Sequence, residues 1–237
     1  MQSNLITALL ALVFGFLGAG IWSYSGLGDN RTRAYLVENP DILPEMAEAY
    51  QAQESSERLS EVRDDVVTAF PGVVIGNPNG SKTLVEFTDY NCPYCEASLA
   101  DVTQLVEADP DLKVVVREWP IFEGSDQAAR MALAAGMQGK YPQFHEAMFR
   151  LGPTTPEAIE AAAVEAGLDL ERARADAASD AVSVELARNL SFAQQLGFSG
   201  TPAWIAGEHV LDGAVGHDVL KAAIADAVEE ADNAEGA

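Results

Sequence analysis

The feature that most constrains the fold is a strand–helix–strand unit between Thr83 and Phe122. The segment TLVEFTDY is typical of a strand, CPYCEASLADVTQLVEA of a helix, and KVVVREWPIF of a second strand rich in β-branched residues. Two strands joined through a helix pair in parallel, and the helix must then pack on the sheet. The sequence therefore predicts an α/β domain.

The flanking segments extend this unit. VVI predicts an earlier strand, joined to it by the turn GNPNG, and a helical block punctuated by glycine and proline runs to about Leu196. The sheet resumes with PAWIAG and HVLDGA, and a last helix begins near His217. The expected domain covers residues 73–229, with a helical insertion at about 124–198 and a disordered acidic tail at 230–237.

The N-terminus departs from this pattern. The stretch LITALLALVFGFLGAGIW, residues 5–22, carries no charge, and as a helix it would reach about 27 Å against a hydrocarbon core of about 30 Å. An uncleaved anchor is favoured over a cleaved signal peptide, because the apolar run is long and MQSN has no basic side chain. Residues 1–27 are thus the expected membrane anchor or signal segment.

A polar connector is expected at residues 23–34, followed by a helix from about Tyr35 to Phe70. The apolar stripe of this helix is narrow and is interrupted by QAQESSER. A helix of this kind packs on a partner or lies on the surface. The helical extension at 28–72 is therefore a candidate for homo-oligomer formation through residues 35–70.

Acidic side chains dominate the chain. There are 37 Asp and Glu against 14 Lys and Arg, and the formal net charge is -23. A surface of this sign repels phosphate backbones. The composition argues against nucleic acid as a partner.

The chain has two cysteines, Cys92 and Cys95, both within FTDYNCPYCEAS. As a structural disulfide they would close a short loop that contributes only about 2 kcal/mol. As half of a zinc site they lack further ligands at a suitable spacing, since the histidines are His145, His209 and His217. As a redox dithiol, one cysteine attacks and the other resolves. A Cu(I)-binding protein for metal tolerance is a further alternative, because two thiolates suit that ion.

The position of the pair favours the redox dithiol. Cys92 follows a strand and opens a helix, so free backbone N–H groups and the helix dipole would stabilise its thiolate. Pro93 suits the first helical position, where its missing N–H is not needed. Cys92 is expected to be exposed and nucleophilic, and Cys95 to face the sheet as the resolving thiol. Such a site needs no cofactor and no metal. Glu86 interrupts the apolar run TLVEFT, and strand alternation alone places it on a solvated face.

Taken together, these segments resemble the DsbA family of bacterial envelope thiol–disulfide oxidoreductases, in the thioredoxin superfamily. The matching features are VEFTDYNCPYC at the end of a strand, the helical insertion after the next strand, and GFSGTPAWIAGEHVLDGAVG. They span about residues 73–227. The predicted fold class is therefore α/β, a thioredoxin fold with an inserted helical domain, preceded by an N-terminal helix and the anchor or signal segment.

The resemblance also implies roles for single residues. Pro202 would be the cis-proline that faces the cysteines, and the backbone of Thr201 would pair with an extended substrate peptide. Glu86 falls where the superfamily keeps a buried acidic residue as proton shuttle for the resolving thiol, which reverses the expectation from alternation. An apolar contact surface for substrate is expected from residues in or near these motifs: Phe87, Pro93, Tyr94 and Trp204.

The implied activity is disulfide exchange with cysteines of envelope proteins in the periplasm, with dithiol oxidation favoured and a membrane redox partner recharging the site. The stretch YLVENPDILPEMAEAYQ is similar to a segment of the suppressor-of-copper-sensitivity protein C subgroup. In some members that segment drives trimerisation, and the trimers act as disulfide isomerases. An oligomeric isomerase or reductase is therefore the alternative. Pro-Tyr between the cysteines, where strong oxidants of the family carry a histidine, suggests a milder oxidant.

Overall fold

The computed structural model describes residues 14–16 and 27–235. The chain divides into two compact units, one ending at Gln51 and the other beginning at Ala52. The expected anchor at residues 5–22 lies outside the described residues, apart from 14–16. Within the described ranges, no helix is both long and apolar enough to cross a membrane.

The N-terminal unit contains helix α1 (Leu27–Glu38) and the start of helix α2 (Ile42–Val66). The expectation of a polar connector at 23–34 is wrong from Leu27 onward, because arginine and alanine there are good helix formers and one glycine costs only about 1 kcal/mol. The chain leaves the helix at Asn39, since the following Pro40 disfavours the helical conformation of the residue before it. The Asn39 side chain donates to the Tyr35 carbonyl at 2.7 Å and closes the end of α1.

The second unit is built on a mixed sheet with the strand order β1-β3-β2-β4-β5. Strands β2 and β3 are parallel and are connected by helix α3, which confirms the predicted strand–helix–strand unit. The other neighbouring pairs are antiparallel. The bounds are β1 Val74–Gly76, β2 Lys82–Thr88, α3 Pro93–Ala108, β3 Leu112–Glu118, β4 Ala203–Ala206 and β5 His209–Asp212.

The predicted helical insertion follows β3 as a run of helices. They are α4 Ser125–Met137, α5 Tyr141–Leu151, α6 Pro156–Glu165, α7 Leu170–Ala177 and α8 Asp180–Leu196. The last helix, α9, spans His217–Glu235 and therefore continues through most of the tail that was expected to be disordered. Alanine and glutamate in that tail have high helix propensity, and His209 pairs with Glu230 at 3.6 Å.

The sheet has an apolar layer on each face. Leu84, Val114 and Val116 share one core cluster with both cysteines and with residues of α3 to α5. Val85 and Val115 share the other cluster with the C-terminal part of α2 and with α8. Strands β2 and β3 are therefore covered on both sides, and the polar side chains toward their C-terminal ends, Glu86, Thr88, Arg117 and Glu118, are buried.

Arg117 connects α2 to the second face of the sheet. Its guanidinium donates to the carbonyls of Asp65, Val66 and Thr68 at 2.6–3.1 Å, which lie at the end of α2 where carbonyls lack intrahelical partners. It also forms a buried ion pair with Glu185 of α8 at 2.6 Å. The second unit thus includes residues N-terminal to the expected boundary at 73.

The loop between α2 and β1 lies directly against α4. A Cβ atom on Gly72, which has φ +75°, would lie 2.1 Å from the Gly136 carbonyl oxygen. A Cβ atom on Gly136 would in turn lie 2.5 Å from the Val73 side chain. Glycine at both positions allows the insertion to pack on this loop.

Candidate active site

The two cysteines lie at the N-terminus of α3. Cys92 is the N-cap residue with extended backbone, and Pro93 occupies the first turn, as predicted. The backbone N–H groups of Cys95 and Glu96 donate to the Cys92 carbonyl at 3.1 and 3.2 Å. Both cysteines carry free thiols.

Cys92 is buried, with 2% of its surface exposed, so the expectation that it is exposed is wrong. The reason is a contact made by a distant part of the chain, because its Sγ lies 3.1 Å from the Thr201 carbonyl oxygen. Cys95 is buried against the sheet, as expected. A substrate must therefore reach Cys92 through the surface beside Pro93 and Tyr94, which are exposed.

The peptide bond between Thr201 and Pro202 is cis, as the resemblance implied. It precedes β4, and the Pro202 carbonyl accepts from Gly213 N–H at 2.9 Å after β5. The Thr201 carbonyl instead faces the Cys92 thiol. The structure thus brings Cys92, Thr201 and Pro202 together, although 109 residues separate Cys92 from Thr201.

Glu86 lies on central strand β2, between Val116 of β3 and Trp204 of β4 in the strand register. It is 3% exposed, so the burial implied by the resemblance is confirmed and the solvated face expected from alternation is wrong. Burial raises the pKa of Glu86 to about 8, since the low-dielectric interior disfavours the charged form. At neutral pH this carboxyl holds a proton.

Burial also raises the pKa of the Cys95 thiol well above its ordinary value. A backbone hydrogen bond from Asp89 and the hydroxyls of Thr88 and Thr201 favour the thiolate, whereas a charged Glu86 raises the pKa further. Among the described residues, neither hydroxyl has another hydrogen-bond partner. Both are thus available to a sulfur anion at Cys95.

Asp89 holds the loop before Cys92 against the loop after β3. Its carboxylate accepts from the backbone N–H groups of Ile121 and Phe122 at 2.7 and 2.9 Å, and from the Ser125 hydroxyl at 2.5 Å. Ile121 and Phe122 are consequently held exposed near the active-site loop. Sequence reasoning did not identify Asp89 or Thr88, although Thr88 is the polar last residue of β2 and Asp89 follows it directly.

Two of the four expected contact residues do not belong to a surface. Trp204 is 0% exposed and donates from Nε1 to the Gly213 carbonyl at 3.0 Å. Phe87 is also buried, on the opposite sheet face, where it packs on Trp119 and Phe198. Both residues lie on interior strands, so they are part of the core. By contrast, Tyr94 is 65% exposed.

The family model for the DSBA-like thioredoxin domain matches residues 83–225. A second model, the N-terminal domain of the copper resistance protein ScsC, matches residues 32–57. The first match covers more than half of the chain and includes both cysteines, Glu86 and Pro202.

Solved structures support the same relationship. A thioredoxin-like oxidoreductase from Silicibacter pomeroyi is 41% identical, with 70% of this chain and 98% of that chain covered and a TM-score of 0.67. The thiol-disulfide exchange protein alpha-DsbA2 from Wolbachia pipientis is 25% identical, with 75% and 97% covered and a TM-score of 0.69. The catalytic domain of Proteus mirabilis ScsC is 26% identical, with 73% and 98% covered and a TM-score of 0.65.

The curated relatives are longer proteins. The Na(+)/H(+) antiporter NhaA 1 of Salinispora arenicola is 29% identical over 149 residues, which are 61% of this chain but 23% of the antiporter. The chain thus spans less than a quarter of that relative.

Proposed function

Because the chain belongs to the DSBA-like thioredoxin domain family, we propose that it is a thiol–disulfide oxidoreductase acting on cysteines of envelope proteins. The observation that carries this proposal is the contact of 3.1 Å between the Cys92 thiol at a helix N-terminus and the carbonyl preceding a cis-proline. This geometry leaves one sulfur facing a backbone edge where an extended peptide can pair.

In the oxidising direction, the reaction begins with Cys92 and Cys95 joined as a disulfide. A substrate thiolate attacks the Cys92 sulfur, the bond between the cysteines breaks, and Cys95 leaves as a thiolate. A second substrate thiolate then attacks the substrate sulfur of the mixed disulfide and releases Cys92. The substrate gains a disulfide, and two electrons pass to the protein, which ends as the dithiol seen here.

Glu86 supplies the proton that this series of exchange steps requires. The raised pKa of Cys95 means that its leaving thiolate takes up a proton at neutral pH, and Glu86 is a buried acid whose pKa of about 8 lets it hold one. In the reducing direction the same carboxylate accepts the proton from Cys95. Glu86 therefore acts as general acid and general base for the resolving thiol.

We place this chemistry in the periplasm and propose net dithiol oxidation, with a membrane redox partner that reoxidises the Cys92–Cys95 pair. The absence of a basic residue between the cysteines supports a mild oxidant. Pro93 and Tyr94, exposed beside the buried Cys92, supply contact surface for substrate proteins. No cofactor takes part in any step.

The activity is tested with two assays on the purified protein: reduction of insulin in the presence of a dithiol, and oxidation of a dithiol peptide by the disulfide form. We expect Cys92→Ser to abolish both. Cys95→Ser, incubated with the disulfide form of the peptide, should trap a mixed disulfide, because the Cys92 thiolate attacks the peptide disulfide, releases one peptide thiolate and leaves no second cysteine to resolve the bond. Ser98→Ala, a buried change one turn further along α3, serves as the matched control. Wild-type protein that is inactive in both assays would refute the proposal, and tight copper binding in such protein would favour the metal-tolerance alternative.

A second candidate, an oligomeric isomerase or reductase, is favoured by the ScsC N-terminal match at residues 32–57. The same segment carries exposed apolar side chains, among them Leu43 and Met46 at 67% and 47% exposure. Light scattering on the wild type and on the double variant Leu43→Glu, Met46→Glu tests this candidate. An oligomer that the double variant dissociates would support it, with Val164→Glu, another exposed apolar position, as control. A monomeric wild type would exclude it.

A further inference from the structure

A second buried carboxyl lies at the end of β3 in a closed ring of hydrogen bonds. Glu118 Oε1 accepts from the Tyr90 hydroxyl at 2.9 Å and from the Tyr141 hydroxyl at 2.8 Å. Both hydroxyls also contact His145 Nδ1, at 3.0 and 3.1 Å. All four side chains are buried. The ring thus links a carboxylic acid to an imidazole through two phenols.

The ring is adjacent to the cysteine face of the sheet. Glu118 is the register partner of Thr88 in the parallel pair of β2 and β3, and Thr88 lies two residues beyond Glu86 on the same strand face. Thr88 in turn favours the thiolate of Cys95 by a hydrogen bond. Thr88 therefore lies between Cys95 and Glu118 on the buried side of the active site.

Glu118 Oε2 has no hydrogen-bond partner among the described residues, and Thr88 Oγ1 has none there apart from the Cys95 sulfur. Leaving a buried polar atom unpaired costs about 1–3 kcal/mol. A cluster that served only to fix the packing would be expected to satisfy both oxygens of its carboxylate. The unpaired oxygen of Glu118 is instead what a carboxyl that binds and releases a proton would leave open.

At its other end the ring reaches a groove. His145 contributes to the wall of a groove of about 800 Å³ between α3 and α5. Polar and apolar residues line the rest of the groove in nearly equal number, and the polar ones are Glu96, Thr103, Gln104, Glu107, Glu146 and Arg150. Because His145 belongs both to the ring and to the wall of the groove, it separates the buried site from the groove, although only 1% of its surface is exposed.

We propose that His145, Tyr90, Tyr141 and Glu118 form a proton relay between this groove and the buried side of the Cys92–Cys95 pair. Glu118 is a second proton-exchanging carboxyl beside Glu86, and Thr88 is the positioning residue between Glu118 and Cys95. The relay rests on the proposed oxidoreductase function.

The relay supplies what the reaction consumes. When the substrate thiolate breaks the disulfide, Cys95 takes a proton from Glu86 and leaves a buried carboxylate there. Glu118, which holds its own proton and whose pKa responds to the charge on Glu86, gives up that proton to this charge. A phenol then transfers its proton to Glu118 and regains one from His145, whose ring is refilled from water in the groove. One proton from solvent thus accompanies the electron pair taken from the substrate.

The charges around Glu118 agree with this role. Burial raises the pKa of Glu118 to about 8, the two tyrosine hydroxyls lower the pKa, and the charges on Asp89 and Glu86 raise it. A charge on Glu86 therefore strengthens proton binding by Glu118. Burial lowers the pKa of His145 to about 3, which keeps the imidazole neutral. The titratable groups that face Glu118 from the packed elements are Glu86, Asp89, Tyr90, Tyr141 and His145.

The test is infrared difference spectroscopy of the full chain, reduced minus oxidised, near pH 7. We expect two carboxyl C=O bands to respond to reduction of the cysteine pair, one absent from Glu86→Gln and the other from Glu118→Gln. Stopped-flow reduction by dithiothreitol should also be about tenfold slower in Glu118→Gln, a modest share of what proton transfer can contribute. The exposed Glu157→Gln is the matched control. A Glu118→Gln protein with the wild-type bands and rate would overturn the relay.

If Glu118→Gln does not fold, the double variant Tyr90→Phe, Tyr141→Phe tests the same step. It keeps the carboxyl but removes both donors to Oε1, so the Glu118 band should shift and reduction should slow. An unshifted band with an unchanged rate would likewise overturn the proposal. Insulin reduction by wild-type protein in the same preparation separates the two hypotheses: inactive wild type refutes the oxidoreductase function, whereas active wild type with an unaltered variant refutes only the relay.

Discussion

Replacing Glu86 with Gln should make the protein increasingly more stable than wild type as the pH rises from 5 to 9. Glu86 is buried in central strand β2, where its pKa is about 8 against an ordinary value of 4.5. Between these two values the unfolded chain has lost the proton and the folded protein keeps it. The folded protein binds more protons, so the free energy of unfolding of the wild type falls with rising pH.

The size of the effect follows from the two pKa values. The pKa of Glu86 differs between the folded and the unfolded protein by about 3.5 units, which corresponds to a loss of about 5 kcal/mol in unfolding free energy. This full loss is reached only above pH 8. Below pH 4.5 the carboxyl is protonated in both states and contributes no pH dependence. The Gln side chain cannot ionise and has nearly the same shape as the Glu side chain that it replaces. The difference in unfolding free energy between variant and wild type should therefore grow by 3–5 kcal/mol from pH 5 to pH 9.

Urea unfolding, followed by circular dichroism under reducing conditions at several pH values, measures this difference. Glu118→Gln should behave in the same way, since its pKa is also about 8. The variant that carries both Glu86→Gln and Glu118→Gln should gain less unfolding free energy than the sum of the two single variants. Each carboxylate raises the pKa of the other, so removing one already lowers the pKa of the one that remains. A difference between Glu86→Gln and wild type that stays constant across this pH range would refute the burial argument.

Three further predictions follow from other parts of the structure. His145→Gln should lose less stability than wild type on acidification from pH 6.5 to 3. In the folded wild type the pKa of His145 is about 3, below the ordinary 6.5, so between these pH values unfolding binds a proton and acid favours the unfolded state. Equal losses of stability in acid titrations of the two proteins would contradict this. Gly72→Ala should lower the unfolding free energy by about 2–4 kcal/mol in urea titrations, because the added Cβ meets the Gly136 carbonyl. Gly139→Ala, at φ +67° with open space around it, should lose clearly less, and equal losses would exclude the contact as the cause. Tyr94→His should shift the equilibrium with glutathione about tenfold toward the dithiol, because an imidazolium beside the helix N-terminus stabilises a Cys92 thiolate, and an unchanged equilibrium constant would contradict this.

The elements near the cysteines could be predicted from the sequence because their signals are local. The parallel pairing of β2 and β3, the helix start at Pro93 and the last helix from His217 are all confirmed. The start of α1 was missed, since residues 27–34 have no apolar stripe to mark a helix.

Burial at the site could not be predicted from local pattern. Alternation assigned Glu86 to a solvated face, because it cannot tell a central strand with two covered faces from an outer one. Trp204 was assigned to a contact surface from its place in the motif that carries the resemblance, but it is fully buried. The burial of Cys92 depends on Thr201, which is distant in the chain. Glu118 carried one signal, a charge in the apolar strand KVVVREWPIF, but its partners come from separate segments.

Arg117 has a consequence for anyone who wishes to shorten this protein. A fragment cut at residue 73, or at residue 83 where the DSBA-like match begins, would lose Asp65, Val66 and Thr68, whose carbonyls take most of the guanidinium's hydrogen bonds. The cut would leave an arginine inside the domain with Glu185 and Asn189 as its remaining partners, and each hydrogen bond lost from this charged group would cost about 1.5–3 kcal/mol. It would also uncover the apolar residues beneath Leu59 and Val62. The smallest piece that can be expected to fold and be crystallised or engineered on its own therefore begins near residue 52.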